Sequence, residues 1–81
     1  SKVVILGAGT VAEYAARTAI GLGAEVKIFD NHIYKLARLK QSIGQPNLYT
    51  STFDNVVLAD ALIRCDVAIG ALRSETGRAP T

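Results

Sequence analysis

The feature that most constrains this chain is Gly7-Ala8-Gly9-Thr10-Val11-Ala12, a G-x-G-x-x-A placed between two unlike stretches. Before it, Val3-Val4-Ile5-Leu6 is short, apolar and mostly β-branched, which suits a strand buried on both faces of a parallel sheet. After it, Ala12, Ala15, Ala16, Ala19 and Ile20 recur at the spacing of one helix face. Gly7 permits a tight turn out of the strand. Gly9 lets a ligand approach the backbone, and Ala12 lets the helix lie close to the sheet. The helix N-terminus then presents free N–H groups and the positive end of its dipole, which suits phosphate. Thr10 followed by Glu13 reads as a capping box, with Glu13 turned away from any ligand.

The rest of the chain continues the alternation. Gly21 and Gly23 stop the first helix, and Val26, Ile28 and Phe29 form a second strand closed by Asp30-Asn31. Ile33, Leu36, Leu39 or Lys40, and Ile43 set the period of a second helix that ends at Gly44 and Pro46. Leu48 to Thr52 is a short polar strand. Asp54 or Asn55 caps a third helix with Val57, Leu58, Ala61, Leu62 and Cys65 on its apolar face. Residues 66–70 make a fourth strand, and 73–81 read as a loop containing Gly77 and Pro80. The fold class is therefore α/β, a Rossmann-type three-layer parallel sheet. Its order is β-α-β-α-β-α-β with strand order 3-2-1-4, the first half of a doubly wound domain.

Asp30 adds to the glycine motif. It ends the second strand, 21 residues after Gly9, where an acid accepts hydrogen bonds from the adenosine ribose of a dinucleotide. A carboxylate there repels a 2′-phosphate, so the expected cofactor is NAD rather than NADP. Lys35 and Arg38 would soften that discrimination if they faced the ribose, but their spacing also suits a solvated helix face.

Composition excludes several other classes. At 81 residues the chain is one small domain or part of one, with a core that is marginal by itself. Apolar residues make up 49% of it, which rules out a disordered tail. A formal charge of +2, with acids and bases interspersed, gives no footprint for nucleic acid or an anionic membrane. The single cysteine, Cys65, and the single histidine, His32, leave no disulfide and no metal set, and fit a reducing, cytoplasmic setting. No apolar run reaches the roughly 18–20 residues of a membrane span. Lys2 and the four residues after it are too short for the apolar part of a signal peptide.

The remaining polar residues are read blandly. His32, two residues after the ribose acid, is a partly exposed helix-start residue, with an adenine-edge contact as the alternative, and Cys65 is a small buried hydrophobe. Asp54, Asp60 and Asp66 are a cap, a solvated face and a strand edge, and Ser51, Ser74 and Thr76 have no neighbouring base to make them nucleophiles. Arg73 follows the fourth strand at the carboxyl end of the sheet, where ligands bind, so a phosphate or substrate-side role stands beside the reading as a surface arginine. No catalytic acid–base pair is found in the chain.

Two longer stretches carry a family resemblance. KVVILGAGTVAEYAARTAIGLGAEVKIFD (2–30) and DVAIGALRSETGRAP (66–80) resemble the NAD domain of alanine dehydrogenases and of the related proton-translocating transhydrogenase subunit, most closely the former. The resemblance implies that Gly7, Gly9, Thr10 and Val11 form the phosphate loop and that Asp30 is the ribose acid. It further implies that Lys35 lies near the adenosine and that the backbone at Ala71 and Leu72 lines the cofactor. The loop Arg73-Ser74-Glu75-Thr76 is polar where many members are apolar, and nothing carries over for residues 50–53.

The family's substrate-binding lysine and histidine lie upstream of such a segment and its catalytic aspartate downstream. The expectation is thus that residues 1–81 are part of an NAD domain, inactive alone. The whole protein would be a homo-oligomer acting on a small amino acid and its keto acid. Two other readings stand beside it: a transhydrogenase subunit passing hydride between NADH and NADP⁺, and a non-catalytic nucleotide-sensing domain of a transport regulator. The GRAP run (77–80) argues against the last.

Overall fold

The structure is a computed structural model in which residues 1–72 are described. Seven elements follow in order: β1 (Lys2–Leu6), α1 (Thr10–Gly21), β2 (Glu25–Phe29), α2 (Ile33–Ile43), β3 (Leu48–Ser51), α3 (Asn55–Arg64) and β4 (Val67–Gly70). All strands are parallel, in the order β3-β2-β1-β4, as the alternating pattern predicts. Val3 pairs with Val26 and Val67, and Ile5 with Ile28 and Ile69, so one set of apolar residues shares one face of the sheet.

That face carries the core. Val3, Ile5, Val26, Ile28 and Leu48 pack under Ala12 and Ala16 of α1 and Leu36, Leu39 and Ile43 of α2. Ala15, Ala19 and Ile20 flank them, so the alanine stripe of α1 is its buried face as expected. The second helix likewise buries Leu36, Leu39 and Ile43, while Ile33 stays exposed. Gly44 closes this helix at φ +62°, a left-handed cap donating its N–H to the Lys40 carbonyl.

The opposite face is sparser. Val4 and Phe29 are buried there, and the Phe29 ring stacks on Phe53 at 6.1 Å between centroids. Lys27 Nζ lies 5.7 Å from the Phe29 centroid. Helix α3 runs against β1 on this side, the side a right-handed crossover requires once the chain turns from β3 back past β1.

Three expectations need correcting. First, the capping box at Thr10 and Glu13 does not form: the N-cap is Gly9, with no side-chain cap bond, and Thr10 is the first helical residue. The Glu13 carboxylate is occupied by Arg17 at 3.0 Å, Ser42 at 3.4 Å and Arg38 at 3.6 Å. These partners, Arg17 first, hold its pKa below the ordinary value against the opposing effect of burial. Second, α3 buries none of its residues; Leu58 and Ala61 are half-buried and Leu62 is exposed. Third, Cys65 is half-buried rather than a core hydrophobe, its thiol reaching the Leu62 carbonyl at 3.2 Å. By contrast Asp54 caps α3 as expected, accepting from the N–H groups of Val56 and Val57 at 3.0 Å each. Arg73, the serine and threonine at 74 and 76, and the GRAP run lie outside the described residues.

Candidate functional site

The sheet changes direction of growth at β1: α1 leads to β2 on one side of it, and α3 leads to β4 on the other. The carboxyl ends of β1 and β4 therefore part their following loops, which opens a crevice. Gly7 begins that crevice. Its N–H donates to the Phe29 carbonyl at 2.7 Å, and its φ of +112° lies in the region that favours glycine. The segment after β4 passes directly over it, with the Ala71 N–H donating to the Leu6 carbonyl at 2.7 Å. A Cβ on Gly7 would stand 2.5 Å from the Ala71 carbonyl oxygen, so close approach as well as the turn demands glycine here.

A Cβ on Gly9 would instead meet no atom within 4 Å. Gly9 lines a cleft of about 430 Å³ together with Ala8, Thr10 and Val11, Lys35 and Arg38 of α2, and Ala71. The first intrahelical bond of α1 runs from the Glu13 N–H to the Gly9 carbonyl. The N–H groups of Thr10, Val11 and Ala12 thus have no acceptor within the helix, at the positive end of its dipole. Val11 is 61% exposed beside them.

Asp30 is the one buried charged residue among those described, at 7% exposure. It sits one residue past β2 and holds the glycine loop directly: Oδ2 accepts from the Ala8 N–H at 2.9 Å. Oδ1 accepts from the His32 N–H at 2.8 Å and lies 3.0 Å from His32 Nδ1. Burial pushes the Asp30 pKa up, but these donors (the His32 amide, the His32 ring and the Ala8 amide) outweigh it and hold the carboxyl below its ordinary value. It is a carboxylate near neutral pH.

The structure thus gathers Gly9, Thr10, Val11, Lys35 and Ala71 around one cleft; Gly7 and Asp30 are outside its lining, Asp30 being joined to it through the Ala8 N–H. Leu72 is 46% exposed and outside the lining. Arg38, read from sequence as a solvated residue, also faces the cleft; it lies one turn after Lys35, and that i, i+3 spacing was the available signal. A second cleft, about 340 Å³, lies under α3 toward the other end of the sheet, with Lys2, Val4, Glu25, Lys27, Tyr49 and Arg64 in its lining. It opens at the amino ends of the strands, away from the crevice that serves ligands in open parallel sheets.

Comparison with known proteins places the chain in a family. The model of the family described as alanine dehydrogenase/PNT, C-terminal domain, matches residues 1–81. The chain belongs to the alanine dehydrogenase/PNT C-terminal domain family. It is 36% identical over 80 residues to an alanine dehydrogenase of Mycolicibacterium smegmatis, and 38% identical over 80 residues to one of Bacillus subtilis, covering 99% of this chain each time. An alanine dehydrogenase of Mycobacterium tuberculosis is 39% identical over 82 residues. The chain spans 21% of the length of each of these relatives. Within this alanine dehydrogenase/PNT domain no helix of the described residues is long and apolar enough to cross a membrane. The described residues also contain no group of histidine, cysteine and carboxylate side chains able to hold a metal ion.

Proposed function

We propose that residues 1–81 are the first half of the NAD-binding domain of an alanine dehydrogenase-like oxidoreductase. The observation that carries the reading is the bond between Asp30 Oδ2 and the Ala8 N–H, which joins the acid at the end of β2 to the glycine loop after β1. A dinucleotide needs those two features at a fixed separation, with the ribose on one and the pyrophosphate on the other.

In this reading the amides of Thr10 and Val11 hold the pyrophosphate, with Gly9 leaving room for it. Lys35 supplies positive charge beside the adenosine end, and Arg38 shares that face. The backbone of Ala71 and Leu72 carries the wall onward beyond β4. Asp30 accepts from the ribose hydroxyls and, as a carboxylate, disfavours a 2′-phosphate, which selects NAD over NADP. Bound there, NAD⁺ supplies the hydride acceptor for the oxidation of L-alanine with water to pyruvate and ammonia. The chain positions that group and excludes misalignment; proton transfer falls to residues elsewhere in the protein. The relatives reported above are alanine dehydrogenases, which favours this reaction over transhydrogenation. The reading carries with it a cytoplasmic homo-oligomer whose small amino-acid substrate binds on another part of the chain.

The test is NAD⁺ binding by calorimetry to the full-length protein and its Asp30→Ala variant. Loss of hydrogen bonds to a charged acceptor predicts binding weaker by about 10- to 100-fold, while NADP⁺ loses less or gains. Equal NAD⁺ affinity in the two proteins refutes the ribose role.

A further inference from the structure

The environment of Asp30 contains a donor that the dinucleotide reading does not use. A carboxylate offers about four acceptor positions, two on each oxygen. On Oδ2 one is taken by the Ala8 N–H. On Oδ1 the His32 N–H takes one at 2.8 Å and the His32 ring the other at 3.0 Å. Because a carboxylate only accepts, Nδ1 is the protonated ring nitrogen in this contact.

The two backbone amides already fix the carboxylate, one through each oxygen. The ring adds a third hold on a group that does not need it. Nor does the ring serve the helix it precedes: His32 is the N-cap of α2, yet its side chain makes no cap bond. The His32 side chain is 65% exposed, against 11% for that of Asp30, so the imidazole lies over the acid from the solvent side. A ribose diol that donates to both carboxylate oxygens finds one free position on Oδ2 and none on Oδ1.

From this geometry we infer that the His32 ring is an internal competitor at the ribose site, occupying Asp30 Oδ1 in place of one ribose hydroxyl and leaving it when the dinucleotide binds. The inference rests on the reading of Asp30 as ribose acceptor. It makes His32 a brake on affinity: each binding event exchanges an imidazole–carboxylate hydrogen bond for a hydroxyl–carboxylate one. A residue that merely oriented Asp30 would have the opposite effect when removed.

The experiment compares the full-length protein with its His32→Ala and Asp30→Ala variants by calorimetry. The probes are NAD⁺ and its two analogues lacking either the 2′- or the 3′-hydroxyl of the adenosine ribose. His32→Ala is expected to bind NAD⁺ about 2- to 10-fold more tightly than the unmodified protein, the equivalent of one net hydrogen bond. That gain is expected to vanish for the analogue missing the hydroxyl that meets Oδ1. Unchanged or weaker NAD⁺ binding in His32→Ala overturns the inference, and so does an equal gain with NAD⁺ and both analogues. The Asp30→Ala arm separates the two claims. Unweakened NAD⁺ binding there removes the ribose reading itself. Weakened binding there, with no gain in His32→Ala, removes only the role of His32.

Discussion

Gly7 is fixed by two independent demands, a φ of +112° and a backbone carbonyl 2.5 Å from where a Cβ would sit. The obstructing atom belongs to the main chain at Ala71, itself bonded to Leu6, so it has little freedom to withdraw. Gly7→Ala is therefore expected to destabilise the protein by roughly 2–5 kcal/mol, the sum of backbone strain and overpacking, read as a lowered melting temperature. Linkage fixes how the stability that Asp30 supplies depends on pH. Its folded pKa lies below the ordinary 3.8, so its contribution to stability is present above that value and is lost as pH falls further, through the lowered pKa. The stability difference between the unmodified protein and Asp30→Asn should then be largest near neutral pH and shrink below pH 3.8; a difference independent of pH would contradict it. Both residues were legible in the sequence, as a turn glycine and a strand-end acid. Their partners were not. The Ala71 carbonyl reaches Gly7 only through the pairing of β4 with β1, and the His32 ring meets Asp30 through a side-chain rotation that no spacing encodes.

The helices show where periodicity carries information and where it stops. The stripe of α1 is alanine because the helix lies directly on the sheet: Ala12 and Ala16 are both fully buried against it. Ala16→Leu should cost about 1–3 kcal/mol by forcing the helix off β1 and β2, a loss measurable by thermal melting. Ala12→Leu would also displace the glycine-loop amides, so on the proposed reading it should weaken NAD⁺ binding as well. The caps divide instructively. Asp54 acts as an N-cap, and Asp54→Ala should cost about 1 kcal/mol. Thr10 has a similar sequence signature but does not cap, because Gly9 holds the cap position and Thr10 is already the first helical residue. A capping box consumes donors, whereas an anion site keeps them free; sequence pattern alone does not separate the two. Helix α3 is the other misreading. Its period is real, but an apolar face is buried only if something lies against it, and α3 rests lightly on the sheet, chiefly against β1, so that none of its residues is buried.

The strand order of the whole sheet followed from alternation and the right-handed crossover rule, because both act on connections rather than on individual side chains. How evenly the sheet is protected did not follow, since it depends on which faces have partners. One face is closed by α1 and α2, where Ile5, Val26, Ile28, Leu39 and Leu48 have almost no exposure. The other carries only α3, with Val56 79% and Ile63 84% exposed, and Val67 on the edge strand β4 is 50% exposed. Stability should be divided accordingly. In the 81-residue chain expressed by itself, amides of β1, β2 and the central turns of α1 should exchange slowest with solvent, because opening them exposes the core. Amides of α3 and β4 should exchange fastest, because their loss uncovers little apolar surface that is not already wet. The melt should be broad and low, as expected of a small core with an open sheet edge. A sharp, high-temperature melt of the monomer with uniform protection across all four strands would contradict this division. On the proposed reading, in which residues 1–81 are the first half of a larger domain, protection of α3 and β4 should rise toward that of β1 in the whole protein, since chain packed on the second face buries the apolar residues that are exposed here.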